Sequence, residues 1–153
     1  LSVFALRAIA TVRSSRAEMV DDEWGDVDCT IELAPEVPDG SIDGLTTFSH
    51  VEIIMLADRA RDVPPDPWQR RPRGNPAWPE VGIFAQRNKD RPNRLLVSVA
   101  QVVSVGERSL VVRGLDALDG TPVLDIKPVF RWSGPRGEVR APAWSDELGE
   151  NYF

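Results

Sequence analysis

Val27-Asp28-Cys29-Thr30-Ile31-Glu32-Leu33 alternates apolar and polar residues at every position. A period of two places Val27, Cys29, Ile31 and Leu33 on one side of an extended chain and Asp28, Thr30 and Glu32 on the other, the pattern of a half-buried β-strand. Outward from this stretch the apolar segments keep strand character. Val51 to Leu56 is a short apolar run broken only by Glu52, and Val81 to Ala85, Leu95 to Val105, Ser109 to Val112 and Pro122 to Ile126 are further strand candidates. Turn formers separate them at Pro38-Asp39-Gly40, Gly106 and Asp119-Gly120. No segment carries a long apolar stripe at helical spacing, although Ile42 to Phe48 has room for one short turn of helix. The expected fold is all-β, a small single-domain β-barrel with short helical turns and a long Pro/Arg/Trp loop. Its expected extent is residues 1–130, with the loop at 59–80, followed by a C-terminal tail, 131–153, packing on the barrel or on a partner subunit.

The composition agrees with one compact core: 153 residues, 42% of them hydrophobic. No apolar run approaches the roughly 20 residues that span a bilayer. Leu1 to Ala10 is apolar enough to suggest a signal core, but Arg7 interrupts it, and neither a basic region nor a cleavage site frames it. One cysteine, Cys29, and one histidine, His50, exclude a disulfide framework and make zinc chemistry unexpected. The expected location is the cytoplasm, with no membrane and no metal as partner.

The net charge of −6 speaks against a surface that grips nucleic acid everywhere. Its distribution is uneven, however. Residues 1–58 carry a net of −9, residues 59–94 a net of +5 and residues 95–153 a net of −2. The basic middle includes Pro64 to Pro79, which holds six of the 13 prolines together with Trp68, Trp78 and the cluster Arg70, Arg71 and Arg73. Proline fixes φ and removes donors, so this stretch reads as a loop or an extended arm. Its aromatic and guanidinium groups suit stacking on a base or packing on a neighbouring subunit, and a solvated loop is an equal reading.

Three clusters gather polar groups beside apolar runs. Phe48-Ser49-His50 reads as a structural histidine bonded to loop backbone. Val81-Gly82-Ile83-Phe84-Ala85-Gln86-Arg87, followed by Asp90-Arg91-Pro92-Asn93, reads as a strand ending in a polar turn that offers guanidinium donors to a ligand. In Leu115-Asp116-Ala117-Leu118-Asp119-Gly120-Thr121-Pro122-Val123-Leu124-Asp125-Ile126-Lys127-Pro128, the carboxylates Asp116 and Asp125 must be paired, solvated or turned to a ligand. Lys127 is the ready partner for Asp125.

Together these motifs resemble the TsaA-like family of TrmO/YaeB tRNA methyltransferases, whose pattern runs V-G-V-F-A-x-R-x-x-x-R-P-N-P-I-G and later L-D-x-x-D-G-T-P-V-x-D-I-K-P. The resemblance extends from Val12 through Pro128, and the block from Asp119 to Pro128 is its most specific part. It implies a small β-barrel that binds S-adenosyl-L-methionine, works as a homodimer with cofactor sites near the subunit interface, and methylates threonylcarbamoyl-adenosine next to the tRNA anticodon. The cofactor-site residues it implies are Asp22 and Trp24 in an early loop, Asp58 and Arg59 at the end of a strand, then Arg87, Arg91, Pro92, Asn93, Leu115, Asp116, Leu118, Asp119, Gly120 and Thr121. Within that reading Arg87 suits the cofactor carboxylate, Asp116 or a nearby carbonyl its cationic end, and Trp24 the adenine or sulfonium. The catalytic residues are unknown, with Asp22, Glu23 and Asp58 as available carboxylates. Arg70, Arg71, Arg73, Lys89 and Arg94 are the candidates for nucleic acid.

Two departures stand out. The family's Pro-Ile-Gly is Arg94-Leu95-Leu96 here, and Asp58 stands where many members have histidine. The alternatives to a tRNA methyltransferase are a methyltransferase with a small-molecule or protein acceptor, a non-catalytic RNA-binding barrel using Trp68, Trp78 and the arginines as a stacking platform, and an interaction module whose loop makes a dimer.

Overall fold

The computed structural model describes residues 2–61 and 67–153; Pro64, Pro65 and Asp66 of the proline-rich loop lie outside that range. In chain order the strands are β1 (Ala10–Ser14), β2 (Asp28–Leu33), β3 (His50–Leu56), β4 (Gln69–Arg70), β5 (Val81–Gly82), β6 (Leu95–Val105), β7 (Ser109–Arg113) and β8 (Pro122–Pro128), with one helix, α1 (Ala143–Gly149), near the end. Six strands close an antiparallel barrel in the order β1-β2-β7-β6-β3-β8, and β4 pairs with β5 outside it. Closure leaves the barrel no free edge. No helix among the described residues is long and apolar enough to cross a membrane.

The alternation in β2 sets its register. Cys29 and Ile31 are buried, Val27 and Leu33 pack against the same core, and the polar residues between them face out, where Asp28 pairs with Arg113 and Glu32 with Arg13 at 2.7 and 2.8 Å. The Arg113 guanidinium holds the Asp28 carboxyl below its usual range. The barrel interior is filled by Val12, Val51, Ile53, Met55, Leu110, Val112, Leu115 and Val123, each less than 2% exposed. Burial pushes the Cys29 thiol up in pKa, which suits a small core filler rather than a nucleophile.

The structure corrects the expected elements at several points. The strand expected over Val81 to Ala85 stops at Gly82, and Ile83–Ala85 is a 3-10 turn. Its partner β4 is flanked by Pro67 and Pro72, which bring no N–H to a longer ladder. Gln69–Arg70 nevertheless pairs with Gly82 and Val81, so the proline-rich stretch is not wholly loop. Strand β1 and helix α1 were not expected: β1 is only five residues long, and α1 only seven, with Trp144 and Leu148 as its apolar spacing. His50 bonds the neighbouring Ser49 hydroxyl through Nδ1 at 2.8 Å rather than loop backbone. Lys127 meets Asp125 at 2.6 Å, as expected.

Candidate functional site

A cleft of about 1010 Å³ opens beside the barrel. Seven pieces of chain wall it: the loop around Met19–Trp24, the turn Ala57–Ala60 that follows β3, Pro72 and Arg73, the polar segment from Phe84 to Asn93, the start of β6, the turn between β7 and β8, and residues between Trp144 and Phe153. The β7–β8 turn is shaped by Gly120, whose φ of +84° favours a residue without Cβ, and is closed by the Thr121 N–H on the Leu118 carbonyl at 3.1 Å. Arg59 holds it from outside, donating to the Asp119 carbonyl at 2.7 Å and to the Ala17 carbonyl at 2.8 Å.

Most of the residues implied by the family resemblance meet here. Trp24, Asp58, Arg59, Arg87, Arg91, Pro92, Asn93, Asp116, Leu118 and Thr121 all line the cleft, as do Arg73 and Lys89. Four others stand behind its wall. Asp22 accepts two hydrogen bonds from Arg73, at 2.7 and 3.1 Å. Leu115 is fully buried in the barrel core. Asp119 accepts from the Ser14 N–H at 3.1 Å, and Gly120 donates its N–H to Val12; both serve the turn.

The basic cluster is largely engaged within the chain. Arg70 reaches Asp90 at 3.4 Å, Arg71 donates to the Trp78 carbonyl, and Arg73 is committed to Asp22. Arg94 sits at φ +51°, where the family's proline could not. The two tryptophans of this region also pack internally, Trp68 against Phe84 and Trp78 against Trp144. A second cavity, of about 320 Å³, adjoins the cleft; Arg59, Arg61, Arg70 and Lys89 line it, with Asp90 as its one acidic residue.

Several wall residues had no separate assignment in the sequence. Gln86, only 7% exposed, donates its amide to the Arg70 and Val81 carbonyls and so ties the β4–β5 ribbon to the cleft. Asn88 donates to the Gln86 amide oxygen. Gln86 lies in the run Val81 to Arg87 singled out from the sequence, and Asn88 in the gap between that run and Asp90. Tyr152 comes from the chain end and donates its hydroxyl to Asp116 Oδ2 at 2.7 Å. Burial first, then the Asp116 charge and hydrogen bond, raise the Tyr152 phenol pKa well above its usual value.

Three buried side-chain atoms have no hydrogen-bond partner among the described residues: Trp24 Nε1, Asn88 Oδ1 and Asp116 Oδ1. All three residues line the cleft. Buried polar atoms are paired in the large majority of cases, so one orphaned donor and two orphaned acceptors on residues of the same cleft point to a polar ligand there. The Trp24 ring, with Arg16 stacked 4.5 Å from its centroid, supplies an aromatic wall. Acceptors for an amine, a donor and guanidinium groups for a carboxylate or ring nitrogen, and apolar walls make a set that fits S-adenosyl-L-methionine.

Fold and site define a closed antiparallel barrel with a lateral cleft lined by apolar, acidic and basic side chains. The chain belongs to the tRNA-methyltransferase O N-terminal domain family, whose model matches residues 19–133. It is 42% identical over 103 residues to an Archaeoglobus fulgidus protein named "Probable S-adenosyl-L-methionine-binding protein", covering 64% of this chain and 25% of that one. It is 35% identical over 91 residues to the tRNA (adenine(37)-N6)-methyltransferase of Homo sapiens, covering 60% of this chain and 20% of that protein. The chain therefore spans a quarter or less of these two relatives. A crystal structure of TrmO from P. aeruginosa superposes with a TM-score of 0.76 and 27% identity, covering 94% of this chain and 62% of that one.

Proposed function

We propose that this chain is an S-adenosyl-L-methionine-dependent methyltransferase acting on tRNA in the cytoplasm, with threonylcarbamoyl-adenosine next to the anticodon as the acceptor. The observation that carries the cofactor is the orphaned trio of Trp24 Nε1, Asn88 Oδ1 and Asp116 Oδ1 in a cleft large enough for it. The acceptor class rests on the family and on the tRNA methyltransferases among the relatives.

S-adenosyl-L-methionine supplies an already activated methyl group, so the protein's task is to bind, orient and exclude water. Arg87 donates one Nη to the Val97 carbonyl at 2.9 Å, which fixes the guanidinium on the wall and leaves its other donors for a carboxylate. Asp116 offers an acceptor oxygen to the cationic end, and Trp24 an aromatic face with a free N–H. Asp58 stands exposed at the rim, within the same cleft, as the candidate to take a proton from the acceptor amine. The second cavity carries four cations against one acid, a cradle for backbone phosphate beside the cleft.

A homodimer is part of the proposal. Val97, Val99 and Val103 project from the outer face of β6 at 40%, 50% and 45% exposure, and the first two also border the cleft. A second copy seated on this row would cover the apolar strip and complete the cleft wall; sedimentation velocity on the full chain reads it out.

Isothermal titration is expected to show S-adenosyl-L-methionine binding, and methyl transfer to tRNA is expected only when the tRNA carries threonylcarbamoyl-adenosine. Binding without transfer to any tRNA would keep the cofactor and overturn the acceptor. Replacing Lys89 by Ala together with Arg61 by Ala is expected to weaken tRNA binding and to lower the slope of log K against log salt by about 1–2. An unchanged slope would remove the second cavity from the tRNA path.

A further inference from the structure

The last residues of the chain lie beyond the 19–133 stretch that the family model matches, yet they are built into the cleft. Five contacts dock them, the last between Tyr152 and Asp116. Trp78 donates its indole N–H to Glu147 at 2.7 Å, and its ring lies 6.3 Å from that of Trp144. The Glu23 and Trp24 N–H groups each donate, at 2.9 Å, to the carbonyls of Asn151 and Tyr152. Gly25 admits the chain end: a Cβ there would lie 2.6 Å from the Phe153 carbonyl carbon. The tail thus pins the backbone of Trp24 and carries Tyr152 to Asp116, two of the three residues whose side chains keep an orphaned buried atom.

A lone carboxylate on a cleft wall can swing about its χ angles. Asp116 has one oxygen held by the Tyr152 hydroxyl and the other buried without a partner. Holding Oδ2 fixes the direction in which Oδ1 is presented, which is how a supporting residue preorganises a ligand contact. We propose that Tyr152 is a positioning residue of the cofactor cleft, fixing Asp116 so that its free oxygen receives the cationic or amine-bearing end of S-adenosyl-L-methionine. This rests on the cofactor reading given above. The charged groups facing the phenol are Asp116, Asp21 and Arg73; the two carboxylates and burial outweigh Arg73 and keep the hydroxyl protonated. It therefore remains a donor throughout the range in which the protein works.

The test has one arm without cofactor and one with it. Tyr152 is the only tyrosine, so near-ultraviolet phenolate absorbance in a rapid alkaline titration reports on it alone. The phenol is expected to titrate above the usual value of about 10, and Asp116→Asn is expected to bring it down. A phenol that titrates normally, or that ignores Asp116→Asn, overturns the latch whatever the cofactor does. In the second arm Tyr152→Phe is expected to weaken S-adenosyl-L-methionine binding roughly tenfold, and to add less than about twofold in an Asp116→Asn background. Gly25→Ala, which displaces the chain end from the opposite side, is expected to weaken binding similarly. Folded Tyr152→Phe protein that binds as the parent does would overturn the proposal and leave the cofactor reading standing. Absence of binding by the parent protein would overturn the cofactor reading, while the titration still decides whether the latch exists.

Discussion

Ile53→Ala is expected to destabilise the protein by about 2–5 kcal/mol, read as a lower urea midpoint at an unchanged slope. Ile53 is completely buried and lies midway along β3, opposite Ser98 of β6 and Ile126 of β8. Both neighbouring strands are therefore fixed around the space that would open, and neither can move in to fill it without breaking its ladder. A domain of this kind has about 5–15 kcal/mol of stability in all, so the substitution removes a large share. Its neighbour Ile54 points to the other face of the same strand and is only partly buried. Ile54→Ala is expected to cost less than half as much. Equal losses would contradict the inward register assigned to Val51, Ile53 and Met55.

That register illustrates what the sequence made legible. β2, β6, β7 and β8 announce themselves because alternate side chains face an apolar interior, and a barrel with no free edge needs that pattern in each strand. The expectation weakened wherever tertiary partners, rather than periodicity, decide the structure. Ala10–Ser14 is too short, and too interrupted by Arg13, to signal a strand, and is held by β2 on one side and β8 on the other. Ile83 to Ala85 has strand composition, but after the Ile83 N–H meets the Trp68 carbonyl at 2.9 Å the chain coils into a 3-10 turn. In the cleft, the residues within the two family motifs were legible because they are local in sequence. The Tyr152–Asp116 contact joins residues 36 apart, and nothing near either position foretells it. Arginines were the least legible of all: composition cannot distinguish Arg73, held by Asp22, from Arg61 on the wall of the basic cavity.

The charge distribution gains a physical meaning from those pairings. The basic stretch at 59–94 is not an even positive surface, since Arg70, Arg71 and Arg73 have internal partners. Arg87 and Arg91 stand in the cleft, while Arg61, Lys89, the carbonyl-bonded Arg59 and the paired Arg70 meet at the second cavity. A net charge of −6 is therefore compatible with local groups of cations, which is where the tRNA contact proposed above would have to lie.

Arg59 lines both cavities, with Met19, Ala60 and Lys89, and Arg59→Ala is expected to lower kcat/KM for tRNA methylation about 100-fold, the scale at which small displacements of reacting groups act. One amino group of its fork meets the Ala17 carbonyl and the other the Asp119 carbonyl, so the side chain staples the β7–β8 turn to the loop that leads to Trp24. Removing it frees the segment from Leu118 to Thr121, two residues of which form the cleft wall, and also deletes a cation from the basic cavity. Arg59→Lys separates the two effects. A single ammonium restores the charge but cannot span both carbonyls as the planar fork does. If the staple dominates, Arg59→Lys keeps most of the tRNA affinity and recovers little of the methylation rate in single-turnover measurements; full recovery by lysine would assign the whole effect to charge and leave the turn without need of Arg59.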